Sequence, residues 1–200
     1  EDNNREMIEF LSGRNCQVAA DPVILLEKNV WLRAAEQAED VCPREPYAFY
    51  YPVVEQQELQ AFALKESRER GIKLLNPRLV PRYAKMKGFD AFPRTAAGPL
   101  EFLSLLIHSQ VVFTNSFHAT VFSTIFSKEL YSLQMKGRHF NRNNRILEYL
   151  RMMQLLDSQS LNGVCIRIEP YVNPDFKKIL ENQRARSKGY LYDSLCIKEQ

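Results

Sequence analysis

Apolar residues recur along this chain at two spacings, and the alternation between them sets the expected architecture. Met7, Ile8, Phe10 and Leu11 fall on one face of a helix that stops near Gly13. Cys16 to Ala20 read as a short buried strand ending at Asp21-Pro22, where the proline disfavours helix at Asp21. Val23 to Leu26 prolong the apolar run, and a helix carrying Trp31 and Leu32 follows. After a break at Pro43 and Pro46, residues 48–54 are aromatic and β-branched enough for a buried strand, with Pro52 at or past its end. From Glu55 to Arg70, Leu59, Phe62 and Ala63 repeat at helical spacing, Glu66 and Arg70 can pair across one turn, and Gly71 supplies the stop. Ile72 to Leu75 then make a second strand.

Residues 76–98 hold Pro77, Pro81, Gly88 and Pro93 with scattered cations and no sustained period, which reads as a long functional loop or an irregular insertion. Order returns at Pro99, a good first-turn residue, followed by Leu100, Leu103, Leu106 and Ile107 on one helical face. Val111 to Thr114 form an apolar strand, and Asn115-Ser116 can cap a helix running through Phe126. Glu129 to Leu133 give another strand, Arg145 to Leu155 a helix, and Val164 to Ile168 a last strand. Asn173-Pro174-Asp175 opens a final helix with Phe176, Ile179 and Leu180 inside. Strands alternating with helices from about residue 48 onward predict an α/β fold, a Rossmann-like parallel sheet with helices on both faces. Neither a GxGxxG nor a GxxxxGK[ST] motif is present, which disfavours the usual dinucleotide and P-loop readings.

Composition narrows the class. The 200 residues suffice for one ordinary domain or two small ones, and 45% hydrophobic content with only seven glycines excludes a disordered or collagenous chain. Because 27 Lys and Arg stand against 24 Asp and Glu, the net +3 is too balanced for a wholesale nucleic-acid or membrane surface, so any cationic chemistry must be local. No run approaches 18 apolar residues, which argues against a membrane span. The start at Glu1 reads as that of a fragment. Cys16, Cys42, Cys165 and Cys196 lie far apart without a CxxC pair or zinc-finger spacing, as expected of reduced thiols in a cytosolic protein, and no metal site is expected.

Two segments carry candidate chemistry. In a doubly wound sheet, ligands bind beyond the carboxyl ends of the strands, where helix N-termini offer unpaired N–H groups to anions. Thr114-Asn115-Ser116-Phe117-His118 is such a strand-to-helix turn, with His118 in the first helical turn. Taken alone, Asn115 or Ser116 is a cap and His118 a packed or solvated histidine. The segment from Lys136 to Arg145 contains Lys136, Arg138, Arg142, Arg145 and His139 and no acid. Alone it reads as a solvated polar loop; with the His118 turn it suggests an anion site, since arginine suits phosphate and carboxylate. Glu101 favours its helix N-terminus by charge, with a sugar hydroxyl as the other role. Tyr50 and Tyr51 are core or sugar-stacking residues. His108 reads as a structural or helix C-terminal residue, Asp21 as a turn residue in preference to a catalytic acid, and Trp31 as core.

Gly98-Pro99-Leu100-Glu101-Phe102 and the run from Val111 through His118 to Ser123 closely resemble the signature of the polysaccharide pyruvyl transferase family. Asp21-Pro22-Val23-Ile24-Leu25-Leu26 before Trp31, Asn144-Arg145-Ile146 and the closing Arg184, Ser187, Tyr190 and Leu191 resemble its other landmarks; Ala119 stands where many relatives have glycine. The resemblance implies one half of a GT-B-type two-domain enzyme: residues 1–40 as an interdomain connecting segment, residues 41–200 as the C-terminal Rossmann-like domain, and a missing N-terminal half as partner. On this basis the fragment folds but turns over little alone.

The implied reaction transfers the pyruvyl group of phosphoenolpyruvate to a free, lipid-linked or nucleotide-linked saccharide acceptor, forming a ketal, with no cofactor beyond that co-substrate. The implied setting is bacterial exopolysaccharide biosynthesis in the cytoplasm or at the inner face of the membrane. Phosphoenolpyruvate carries a carboxylate and a phosphate of about −1.5 to −2 charges, which a helix N-terminus with arginines would cradle. His118 is then the catalytic acid or base, with Asn115, Ser116, Arg138, Arg142, Arg145 and Glu101 binding substrate. The rival readings are a GT-B-type glycosyltransferase using a nucleotide sugar and a non-catalytic carbohydrate-binding domain.

Overall fold

A computed structural model describes residues 2–38, 41–79, 81–90, 97–156, 165–168 and 173–195. Five strands form one sheet: β1 (Tyr47–Tyr51), β2 (Lys73–Leu75), β3 (Val111–Thr114), β4 (Glu129–Leu133) and β5 (Cys165–Ile168), in the order β2-β1-β3-β4-β5. The first four are parallel, paired as Phe49 with Leu75 and Val112, and Val112 with Leu130. The edge strand β5 runs antiparallel to β4, with Leu133 opposite Cys165.

Nine helices complete the described residues: α1 (Asp2–Ser12), α2 (Pro22–Leu25), α3 (Lys28–Ala35), α4 (Gln57–Glu69), α5 (Pro81–Met86), α6 (Pro99–His108), α7 (Phe117–Ile125), α8 (Asn143–Met152) and α9 (Phe176–Ser194). A 3₁₀ turn over Gly137–Arg142 leads into α8. The central strands β1 and β3 read as near-continuous apolar runs because both sheet faces are buried there, whereas Arg167 of the edge strand β5 is exposed. Phe49, Val112, Leu130 and Ile166 enter one core with Leu106 of α6, Phe122 of α7 and Leu150 of α8. Ala48, Leu74, Phe113 and Tyr131 enter the other, under Leu59 and Ala63 of α4. The α/β Rossmann-like architecture with helices on both faces is therefore present. Gly71 takes φ +65°, the left-handed conformation that ends α4.

Two local expectations are corrected. Cys16 to Ala20 form no strand, because no strand lies beside them; Ala20 N–H instead donates to Ser187 Oγ on α9 at 2.8 Å. Part of the expected loop 76–98 is ordered, with helix α5 and a bridge from Leu75 to Asp90. Asp90 also accepts from Leu74 N–H at 2.8 Å, a pairing between residues too far apart for local periodicity to reveal. Pro93 of that segment and Cys196 lie outside the described residues. Helix α1 forms as expected, but Phe10 and Leu11 on its apolar side are exposed.

Candidate functional site

The strand order reverses between β1 and β3, so their carboxyl ends flank the switch point at which open α/β sheets bind ligands. Helices α4, α7 and α8 all start at this end of the sheet, after β1, β3 and β4. Polar side chains tie the loops there into one frame. Asn115, fully buried, accepts from Val53 N–H at 2.7 Å and Val54 N–H at 3.3 Å through Oδ1, and donates through Nδ2 to Val54 O and Gln56 Oε1, both at 2.7 Å. Gln56 Nε2 donates to Gln134 O at 3.0 Å, which joins the loop after β4 to the same frame. Thr114 Oγ1 donates to Tyr51 O and accepts from Ser116 N–H. Arg78 adds a bond from its guanidinium to Pro52 O and stands 5.7 Å from the Tyr51 ring centre.

On this frame sits the head of α7. Ser116 caps it, its Oγ accepting from Ala119 N–H at 3.4 Å. The leading N–H groups of a helix, here those of Phe117 and His118, have no partner within it. His118 is 55% exposed, and its Nε2 lies 3.7 Å from Oδ2 of Asp21, whose side chain is only 14% exposed. Arg145 Nη2 approaches the same oxygen at 3.3 Å. The Arg145 guanidinium also covers the Phe117 ring at 4.1 Å, and that ring meets the His118 ring edge-on at 5.5 Å. Thus a carboxylate lies between an arginine and a histidine beside a helix N-terminus. A groove of about 550 Å³ adjoins them, lined in part by Asp21, Ile24, Phe117, Arg145, Gln183 and Arg186. Burial pushes the phenol of Tyr149, on the groove wall, far above its usual range, so it stays neutral and bonds to Thr124 Oγ1. A larger groove of about 710 Å³, between α3, the end of α7 and α9, holds none of the anticipated site residues.

The anticipated residues separate by position. His118 and Arg145 meet at Asp21, whereas Asn115 and Ser116 support the turn from below, the one as a loop tie and the other as a cap. Glu101 folds over the head of α6, its Oε2 lying 2.7 Å from where a Cβ on Gly98 would stand. The 3₁₀ turn carrying Arg138 and Arg142 follows β4 at the same end of the sheet, but their side chains lie outside the described residues. Asn143 anchors that turn, accepting from Met135 N–H at 2.7 Å and donating to Met135 O at 2.8 Å. Lys136 pairs with Glu58 at 2.8 Å. Tyr50 is buried and Tyr51 packs against Phe49 and Phe102. His108 Nδ1 lies 2.8 Å from Ser104 O, and Trp31 Nε1 donates to Val23 O at 3.0 Å.

Sequence reading weighs Asp21 as a turn residue over a catalytic acid and does not single out Gln56 or Arg78. Asp21 had a visible signal, its place in the Asp-Pro-x-x-Leu-Leu segment; the other two had none. Among the described residues no group of three or more His, Cys, Asp or Glu is set to hold a metal ion, and no helix is long and apolar enough to cross a membrane. A family model described as polysaccharide pyruvyl transferase matches residues 4–134, a span that includes Asp21 and the His118 turn and ends before Arg145. No curated protein and no solved structure matches the chain.

Proposed function

The chain belongs to the polysaccharide pyruvyl transferase family, and on that premise we propose that it moves the pyruvyl unit of phosphoenolpyruvate onto two hydroxyls of a saccharide, closing a cyclic ketal and releasing phosphate. In that reaction the enol methylene takes a proton and becomes a methyl group. The adjacent carbon gains two bonds to sugar oxygens as its bond to the phosphate oxygen breaks. Of the two hydroxyl protons, one balances the new methyl and the other leaves with phosphate or solvent.

The observation that carries this reading is the exposed His118 at the head of α7, beside Arg145, in a turn covered by the family match. Protonating the methylene builds positive charge at the adjacent carbon, and a histidine near neutral pH is suited both to deliver that proton and to accept one from the attacking hydroxyl. The donor's anionic groups suit the α7 N-terminus and the cation of Arg145, with Arg138 and Arg142 assigned the same task. Asn115 and Ser116 serve by holding the turn, and Glu101 is assigned to an acceptor hydroxyl. A companion N-terminal half of the same protein is assigned the facing wall. The acceptor is a free, lipid-linked or nucleotide-linked saccharide, and the setting is the bacterial cytoplasm or the inner membrane face during exopolysaccharide synthesis.

The test is His118→Ala in the intact protein as encoded, assayed for phosphate release and for the mass of a pyruvylated acceptor. Turnover is expected to fall by about 10²–10⁴-fold, the usual contribution of a general acid or base. Activity within about tenfold of wild type would remove His118 from the chemistry. Thermal stabilisation by a nucleotide sugar and not by phosphoenolpyruvate would favour a glycosyltransferase instead.

A further inference from the structure

Asp21 is fixed without help from His118. Its Oδ1 accepts from Val23 N–H at 3.0 Å and so caps α2, and Pro22 occupies the first position of that helix. The residue before it is tethered to α9 by the bond from Ala20 N–H to Ser187 Oγ. The segment after it is gripped by Arg184 of α9, which donates to Ile24 O and Leu26 O, both at 2.9 Å. One carboxylate oxygen is thus used by the local fold, and the other, Oδ2, is presented to Arg145 at 3.3 Å and His118 at 3.7 Å. His118 is in the opposite situation. Its side chain is more than half exposed on a first helical turn, where little packing holds a rotamer. Among the described residues Asp21 carries the one carboxylate within ion-pair distance of its ring.

We propose that Asp21 is a positioning residue for the transfer reaction: its Oδ2, held in place by α2 and α9, orients the His118 imidazole and anchors Arg145 beside it. The inference rests on the reading of His118 as the acid or base. With Nε2 turned to the carboxylate, the ring presents Nδ1 to a substrate, the same logic by which a carboxylate sets the tautomer and tilt of a catalytic histidine in hydrolase triads. Arg145 offsets the negative charge, so the carboxylate orients the ring without repelling an anionic donor outright. An ion pair with an exposed partner adds little to folding stability, so the effect of this contact lies in orientation. The long helix α9 gains a role by the same route. Its Arg184 and Ser187 lie far along the chain from Asp21, yet hold the segment that carries it.

The test is Asp21→Ser in the intact protein. Serine retains an oxygen that caps α2 but is too short to reach His118 or Arg145. Expected are an unchanged melting temperature, a kcat about 10–100-fold lower at saturating phosphoenolpyruvate, and a KM for phosphoenolpyruvate raised several-fold as Arg145 loses its anchor. Should Asp21→Ser fail to fold, Asp21→Asn, which keeps both shape and cap, takes its place. In the His118→Ala background the same change should alter residual kcat by less than about twofold, because a residue acting through His118 has nothing left to orient. Multiplicative losses in the double variant, or wild-type kcat in Asp21→Ser while His118→Ala is inactive, would overturn the positioning role alone. Full turnover in His118→Ala would instead overturn the catalytic reading, and the positioning role with it.

Discussion

Two carboxylates in this molecule each lie between basic side chains, and their surroundings differ. Glu129, at the start of β4, receives both Arg70 nitrogens at 2.7 and 2.8 Å and Arg167 at 3.2 Å, while Arg70 also meets Glu66 at 3.3 Å. Both guanidinium groups lie 5.9 Å from the Tyr131 ring centre. Asp21, at the other end of the sheet, makes longer contacts at 3.3 and 3.7 Å, and one of its partners is an exposed histidine. The first arrangement uses bidentate geometry and joins the end of α4 to the start of β4, which is what a structural pair requires. The second leaves an exposed imidazole at a helix N-terminus beside a groove. Charge type alone does not separate the two; saturation of the partners and position on the sheet do.

Breaking the two clusters should therefore leave opposite signatures. The largest effect is that of His118→Ala, which should lower turnover by about 10²–10⁴-fold while leaving the melting temperature in place, as the side chain is more than half exposed. Arg70→Ala should do the reverse. Losing the paired bonds to a partly buried carboxylate costs about 2 kcal/mol, or about 4–8 °C in melting temperature for a chain of this size, with kcat of the folded fraction unchanged. A drop in kcat as large as that of His118→Ala would show that the two ends of the sheet are coupled.

A smaller contrast lies in acid stability. The Glu129 carboxyl is held below its ordinary value of 4.5, first by the hydrogen bond from Arg70 and against the opposing effect of burial. A carboxyl lowered in the folded state contributes stability above its unfolded value and loses it as pH falls through the folded one. Glu129→Gln should accordingly flatten the loss of stability below pH 4.5 seen in the wild type, measured by urea unfolding across pH. A curve parallel to wild type would mean that other carboxyls govern the acid limb. The smallest effect is expected for Ser187→Ala, about 1 kcal/mol from the unpaired Ala20 N–H. It should also lower kcat slightly if the Asp21 segment shifts, and a stability loss with no change in kcat would separate α9 from the site.

Much of the fold was legible because its elements are locally consistent. The β3 strand is four apolar or small residues before a Ser cap, α6 opens on proline, and α4 closes on a left-handed glycine, each a signal within a few residues of the element it defines. The segment Cys16–Ala20 misled because apolar content predicts burial but not the presence of a neighbouring strand to pair with. Helix α5 was missed because six residues with prolines around them show no period. The His118 turn was legible for the same local reason as β3 and α7. Its partner was not, since Asp21 stands 97 positions upstream and reads, on its own, as the turn residue that it also is.

The sequence by itself determined the alternation of strands and helices, the capped turn that carries His118 and the family to which the chain belongs, because each is encoded in contiguous residues and their spacing. Only the tertiary structure decided that the strand order reverses beside that turn, that Asn115 is occupied in tying loops together, and that His118 and Arg145 converge on Asp21. Those contacts join α2, α7 and α8, with α9 holding the first of them. Nothing in local spacing encodes a meeting of four segments so far apart; the packing of helices across one face of the sheet brings them together.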